Sequence, residues 1–308
     1  MNVWDAEHAL DATAARALLA GQFPDLALAS IHPLGIGFDN TVYLVDETWV
    51  FRFPRREVAV PLMERELAVL PGLAPRLPLP VPVPELIGHA AGGYPWPFWG
   101  ARLVPGVELV DAALPEDGRD ALAAQVGGFL RALHDPAVAH DLGGTLPHDP
   151  MRRGTPSTRG PMAREALDRL AARGTWDADG DLDRQADGVI AAADPLPAPS
   201  GEPVLVHGDL HLRHLLVRPD GLAGGVIDWG DCCLADPALD LSLAYGAFSG
   251  SARDALLSAY GRRVDEEREL RARLLALMLC AVLADYADQE GFPALLAEAL
   301  AGVARAVA

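Results

Sequence analysis

The chain has 308 residues, 50% of them hydrophobic, and a formal net charge of −18. That length allows two lobes with a sizeable core, the acidic balance argues against nucleic acid, whose phosphates need a basic surface, and no apolar run reaches the length of a membrane span. The N-terminus is acidic and lacks the basic start of a signal peptide, and the 3 cysteines, with Cys232 and Cys233 adjacent, make no disulfide framework, so a cytoplasmic protein is expected.

Residues 5–19 have helical apolar spacing and predict an N-terminal helix. Residues 26–34 read as a strand, followed by the run GIGFDN over 35–40 and by strands at 41–45 and 49–53, joined by a turn at 46–48. A strand, a glycine-rich turn and a returning strand can fold over phosphates through backbone N–H groups, here at Gly35, Gly37 and Asn40. Glycine also serves any tight turn; the position of this one just before WVFRFPRR is what draws attention to it. Arg52 lies inside the apolar alternation of Val50, Phe51 and Phe53. An arginine among such residues needs an anionic partner. Glu66, on a helix expected over 58–70, is the natural one, and Glu64 the second choice; the alternative is an Arg52 that points outward to solvent.

Residues 73–84 are studded with proline, which predicts an extended connection and no helix. Residues 97–104 predict a buried strand leading into Pro105 and Gly106. Residues 115–134 predict an amphipathic helix with Leu122, Val126, Phe129, Leu130 and Leu133 on its apolar face. Residues 140–160 predict a loop, and 162–172 and 182–192 two more helices. A proline-rich lead over 194–203 then enters the most informative stretch, residues 204–241. Short apolar runs at 204–206 and 215–217 flank a polar loop, and a third run at 223–227 stops at Asp228. Turn chemistry in Arg218-Pro219-Asp220-Gly221 makes the last two runs a hairpin. The hairpin delivers Asp209, His214 and Asp228 to one end of a sheet. Helices follow at 244–248, 252–260, 266–284 and 293–307. Asp265, Glu266 and Glu267 suit a helix N-terminus. Asp285, Asp288 and Glu290 are expected in a solvated loop between the last two helices, the other reading being a patch that faces a cationic substrate.

Two convergent carboxylates can divide labour, one accepting a proton from an attacking hydroxyl and the other holding a divalent cation. Phosphoryl transfer needs little beyond positioning, a metal and a base. The pattern H-G-D-x-x-x-x-H over 207–214, followed by I-D-W-G-D over 227–231 and D-P-x-x-D over 236–240, resembles the antibiotic phosphotransferase family, whose fold is protein-kinase-like. The resemblance implies that Asp209 is the catalytic base and that Asp228 binds Mg²⁺. It also implies that His214 stands where most members carry an asparagine ligand to a second Mg²⁺, as histidine does in the aminoglycoside 2''- and macrolide phosphotransferases. A histidine ligand is unusual for Mg²⁺, which prefers oxygen, and makes binding acid-sensitive.

The run from G-x-G-F-D-N to W-V-F-R-F-P is similar to the aminoglycoside 2''-phosphotransferases. It sets Arg52 at the family's phosphate-gripping basic position, which is usually lysine; this chain has no lysine, all 25 basic residues being arginine. Aligning Gly106 with the family's hinge glycine puts the Arg102 carbonyl and the Val104 amide against the nucleotide base, with Ala101 as gatekeeper. A methyl there leaves the hinge open to ATP, with GTP as a second donor.

The resemblance implies an α+β, bilobal protein-kinase-like fold: a small sheet-based nucleotide-binding lobe over 1–104 and a larger, mostly helical catalytic and substrate-binding lobe over 105–308. The expected activity is Mg²⁺-dependent phosphorylation of a hydroxyl on an aminoglycoside-like antibiotic, a cationic partner that the acidic chain would attract. The expected state is monomer or dimer, without nucleic acid or membrane. A macrolide or a metabolite such as a sugar or amino alcohol is an alternative acceptor. A catalytically silent binding module and a metal-dependent hydrolase built on His207, Asp209 and His211 are the alternatives of another class. His207 is expected to brace the loop and His211 to line the site. Zinc on His207, His211 and His214 lacks a further cysteine or histidine at matching spacing.

Overall fold

The computed structural model describes residues 6–37, 39–199 and 201–308. Asp5, at the front of the expected first helix, and Phe38, within the glycine-rich turn, lie outside the described residues. The chain divides into two units, Met1–Pro75 with Pro80–Val104, and Arg76–Leu79 with Pro105–Ala308.

In the first unit, helix α1 is Ala12–Gln22 and begins later than the spacing predicts. Asp11 is its N-cap, its carboxylate accepting from Ala14 N at 2.8 Å. Strands β1 (Ile31–Ile36), β2 (Asn40–Val45), β3 (Trp49–Pro54), β4 (Leu86–Gly88) and β5 (Phe98–Arg102) form an antiparallel sheet in the order β1-β2-β3-β5-β4. The first strand starts at Ile31, not at residue 26, because Leu28 has a φ of 50° and the Asp46 carboxylate takes the Leu28 and Ser30 amides. Asp46 and Glu47, both at φ 50°, make the β2–β3 turn. Period-two alternation sends Tyr43, Val45, Phe51, Phe53 and Phe98 to the face packed on Ala15, Leu18 and Leu19 of α1. Trp99 and Ala101 pack on the other face against Met63 of helix α2 (Val60–Leu73).

Helix α2 passes through Pro71 and is followed by a 3₁₀ turn at Ala74–Arg76, so the proline-based expectation of no helix fails at the start of that segment. Pro71 lies in the last turn, where it removes one hydrogen bond, while Leu70 and Leu73 are fully buried and hold the turn in place.

In the second unit, strands β6 (Val107–Glu108), β8 (Leu215–Val217) and β9 (Ala223–Val226) form a sheet in the order β6-β8-β9, and β7 (Val204–Val206) pairs with β10 (Cys233–Ala235). The β8–β9 hairpin is the one the sequence predicts. Strands β6 and β10 are too short to carry a periodic signal. Helices α3 (Asp120–Leu133), α4 (Pro136–Leu142), α5 (Pro156–Ala172), α6 (Asp181–Ala193), α7 (Ala238–Gly246), α8 (Gly250–Tyr260), α9 (Glu266–Glu290) and α10 (Pro293–Val307) make up the rest.

The loop expected over 140–160 is therefore shorter than predicted. Asp135 caps α4 by accepting from Ala137 N at 2.9 Å, and Pro156 opens α5 from its first turn, where a missing N–H costs nothing. Helix α9 packs on α5, α7 and α10. It runs on to Glu290, so Asp285, Asp288 and Glu290 belong to a helix and not to a loop. Asp285 is buried and accepts from Arg169 Nε at 2.8 Å and Arg173 Nη2 at 2.5 Å; Asp288 accepts from Arg173 and Thr175. Burial raises the Asp285 pKa, but its bonds from Arg173 and Arg169 outweigh that and hold it below the ordinary carboxylate value. Asp285 and Asp288 thereby fasten the end of α5 to α9 and are engaged there, whereas Glu290 is exposed. Among the described residues, no helix is long and apolar enough to cross a membrane.

Candidate active site

The loop between β7 and β8 carries H-G-D, and its shape follows from its hydrogen bonds. His207 is fully buried. Its Nε2 donates to the Ile227 carbonyl at 2.9 Å and its Nδ1 accepts from Asp209 N at 3.3 Å. One neutral imidazole thus joins the Asp209 loop to the strand end that leads to Asp228. Burial lowers the His207 pKa, against the pull of Asp240, and so favours the neutral ring that both bonds require. The bracing role expected of His207 is its role here. Gly208, at φ 86°, has its Cα against the Asp231 carbonyl; a Cβ there would come within 2.4 Å of that oxygen. Only glycine lets these two loops touch.

Asp209 is partly exposed, its Oδ2 lying 3.7 Å from His211 Nε2 and 4.0 Å from His214 Nδ1. His214 Nδ1 donates to the Asp209 carbonyl at 2.7 Å, which turns Nε2 to the opposite side of the ring. That nitrogen is 3.6 Å from Asp228 Oδ2. Asp228 has a φ of 68°, a left-handed conformation that aspartate tolerates, two residues after the end of β9. The three residues expected to act together are therefore brought together. The separation of Nε2 and Oδ2 suits two ligands of one small cation, and this donor set fits Mg²⁺ through its oxygen and accepts borderline metals through its nitrogen. Asp209, His211 and His214 also form a cluster of potential metal ligands. The His211 and His214 rings stack on each other at 3.9 Å between centroids with an interplanar angle of 30°. Burial, His214 and Arg213 together push the His211 pKa well down.

In the first unit, Arg52 is buried and its Nη1 lies 3.3 Å from Glu66 Oε1, whereas Glu64 is exposed. The outward-pointing alternative for Arg52 is thereby excluded. Its guanidinium also stands 5.6 Å from the Trp99 ring centroid. Gly37 N donates to the Asn40 carbonyl at 2.9 Å and closes the β1–β2 turn, and a Cβ on Gly35 would project into open space. Leu103 N donates to Thr48 O at 2.8 Å; because peptide groups alternate along a strand, those of neighbouring Arg102 turn away from β3. Strand β4 reaches only as far as Gly100 on that side. Ala101 is fully buried and Val104 nearly so.

The Phosphotransferase enzyme family profile matches residues 30–277. The chain belongs to this family. Solved structures with the same fold include the GDP and kanamycin complex of APH(2")-IIIa, 23% identical, covering 95% of this chain and 97% of that one, at a TM-score of 0.68. The gentamicin complex of APH(2")-IIa is 18% identical, covers 96% of each chain and scores 0.57. Macrolide 2'-phosphotransferase MphH from Brachybacterium faecium is 24% identical, covers 94% of this chain and 97% of that one, and also scores 0.57. Among curated proteins, YcbJ of Bacillus subtilis, which is uncharacterized, is 39% identical over 56 residues, so the match spans only 18% of either chain. The α+β, kinase-like fold expected from the motifs is thus the fold of this family member.

Two features of this phosphotransferase-family chain escaped sequence reasoning. Asp240, the last residue of D-P-x-x-D, is fully buried and accepts from His207 N at 2.8 Å and Gly208 N at 3.0 Å. Its Oδ2 also meets His134 Nε2 at 3.1 Å, and His134 Nδ1 meets Tyr260 Oη at 3.1 Å. Burial would raise the Asp240 pKa, but the bonds from His134 and the loop amide hold it down. His134 reads in the sequence only as the end of a helix; nothing local marks its partner. The second feature is Arg153, from the segment that reads as a loop without signature. Its Nη1 is 3.1 Å from Asp231 Oδ1, and its Nη2 is 3.9 Å from Asp209 Oδ1.

Asp240→Ala is expected to destabilise the protein by about 3–5 kcal/mol, since it leaves a buried imidazole and two buried N–H groups without their acceptor. Urea denaturation measures the loss. A change under about 1 kcal/mol, the size of one ordinary hydrogen bond, would show that water or another group replaces the carboxylate.

Proposed function

We propose that this protein is a nucleotide-dependent small-molecule O-phosphotransferase that acts on a hydroxyl of an aminoglycoside-like antibiotic. The observation that carries the reaction type is the joining of a partly exposed carboxylate, Asp209, to an Asp228–His214 pair only 3.6 Å apart within one hydrogen-bonded loop system. In the proposed reaction, Asp209 accepts the proton of the acceptor hydroxyl as that oxygen attacks the γ-phosphorus; the bond from phosphorus to the bridging oxygen breaks and the nucleoside diphosphate leaves. Asp228 Oδ2 and His214 Nε2 would hold Mg²⁺, which when bound supplies charge neutralisation for the phosphates. Arg52, oriented by its ion pair with Glu66, grips phosphate oxygens. Gly35, Gly37 and Asn40 belong to the turn that would cover the same groups, although the Gly37 amide is spent on closing that turn against the Asn40 carbonyl and does not face phosphate. The Arg102 carbonyl and Val104 amide read the base of ATP past the small Ala101, with GTP as a second donor. Similarity to MphH supports a macrolide as the second acceptor class.

Purified protein, Mg²⁺ and either nucleotide, with a panel of aminoglycosides, macrolides, sugars and amino alcohols, tests the proposal by mass detection of a phosphorylated product. ATP-dependent transfer to an aminoglycoside is the expected result, and Ala101→Tyr is expected to reduce ATP use relative to GTP. Nucleotide binding with no transfer to any acceptor would favour a silent binding module. Acceptor-independent, metal-dependent hydrolysis of ester substrates would favour the hydrolase reading.

A further inference from the structure

Arg153 emerges from a segment that is rigidly anchored. The Asp149 carboxylate accepts from Arg153 N at 2.7 Å and Gly154 N at 2.9 Å, and Asp149 N donates to Leu234 O at 3.0 Å. Two buried arginines grip the segment through its carbonyls: Arg271 Nη1 donates to Gly154 O at 2.6 Å, and Arg159 Nη2 to Met151 O at 2.6 Å. The Arg153 backbone therefore has little freedom, and its guanidinium bridges Asp231 Oδ1, at 3.1 Å, and Asp209 Oδ1, at 3.9 Å. The other Asp209 oxygen lies on the histidine side, 3.7 Å from His211 Nε2.

We propose that Arg153 is a positioning residue for the transfer reaction: it holds Asp209 Oδ1, so that Oδ2 stays beside His211 and His214 and is the oxygen presented to the acceptor hydroxyl. The inference deepens the phosphotransferase reading and rests on Asp209 being the base. Arg153 is well suited to the task. It is mostly buried, which opposes its charge, yet the Asp209 and Asp231 carboxylates outweigh that and raise its pKa, so the cation persists throughout the working range. By bridging Asp209 and Asp231 it also ties the H-G-D loop to the I-D-W-G-D loop, whose backbones already touch at Gly208. A base whose rotamer is free pays an orientational penalty in every turnover, and misplacement by about 1 Å can cost about 10²-fold in rate.

Arg153→Ala is expected to lower kcat by about 10- to 100-fold, with the KM for the acceptor and the affinity for Mg-nucleotide close to wild type. Guanidinium ion at non-denaturing concentration should restore part of the lost kcat, a recovery that a purely structural defect would not show. Arg153→Lys, which keeps the charge without the fork, should fall between the two and guards against a poorly folded alanine variant. In the Arg153→Ala/Asp231→Asn double variant the losses should be less than additive, since each variant breaks the same bridge. An unchanged kcat in both Arg153 variants would overturn the inference. So would a rise in acceptor KM at constant kcat, which would make Arg153 an acceptor contact. If the wild type transfers phosphate to nothing, the functional reading fails instead; crystals of Arg153→Ala then decide the inference by whether the Asp209 carboxylate keeps its rotamer.

Discussion

Asp209→Asn is expected to abolish phosphoryl transfer while leaving the affinity for Mg-nucleotide nearly intact. The substitution preserves shape and backbone: the Asp209 amide still reaches His207 Nδ1, and its carbonyl still accepts from His214. What is lost is the ability to accept a proton, together with the charge that faces Arg153. A positioned general base contributes about 10²–10⁴-fold, so kcat should fall by that range. A coupled turnover assay gives kcat, and calorimetry gives the nucleotide affinity. Turnover comparable to wild type would remove Asp209 from the mechanism. A parallel collapse of nucleotide binding would instead mean that Asp209 is chiefly a metal ligand.

Asp228→Ala is expected to remove the Mg²⁺ dependence of nucleotide binding. The substitution deletes the carboxylate that faces His214 Nε2 at 3.6 Å and leaves only an imidazole, a poor ligand for a hard cation. Loss of a group that merely orients a metal ligand costs about 10–100-fold in affinity; loss of the ligand itself should cost more. Calorimetry with and without Mg²⁺ reads the effect, and binding that responds to Mg²⁺ as in wild type would refute the assignment. Asp228 is left-handed, at φ 68°, where alanine is strained by roughly 1–2 kcal/mol. Asp228→Asn, which tolerates that backbone, separates the loss of the ligand from the loss of stability.

Much of this site can be read along the chain because its parts are local. A run such as Val204–Val206, a polar loop and a hairpin with a proline-aspartate-glycine turn encode their own geometry within a few residues, and side chains at a strand end must emerge together. That is why Asp209, His214 and Asp228 can be grouped from the sequence. Arg52 was legible for a different reason: a cation flanked by Phe51 and Phe53 on an alternating strand cannot be buried alone, and the next helix offers few acids.

What escaped was everything whose meaning depends on a distant neighbour. Asp285 and Asp288 look like a solvated acidic patch until Arg169 and Arg173 of another helix are packed against them. Arg153 looks like one charge among several in a loop rich in glycine and proline until the segment is pinned by Arg271 and set between Asp209 and Asp231. His134 lies 106 residues from the Asp240 it meets. Helix and strand periodicities report which way a side chain faces its own element, because backbone geometry repeats over a few residues. Whether a charge then meets water or an opposite charge is decided only when elements far apart in sequence pack together, since the energy of a charge is set by its surroundings rather than by its identity. The sequence thus determined the family fold, the loop that carries the candidate base and the strand end that carries the candidate metal ligand. Tertiary structure alone decided which arginines and histidines hold them in place.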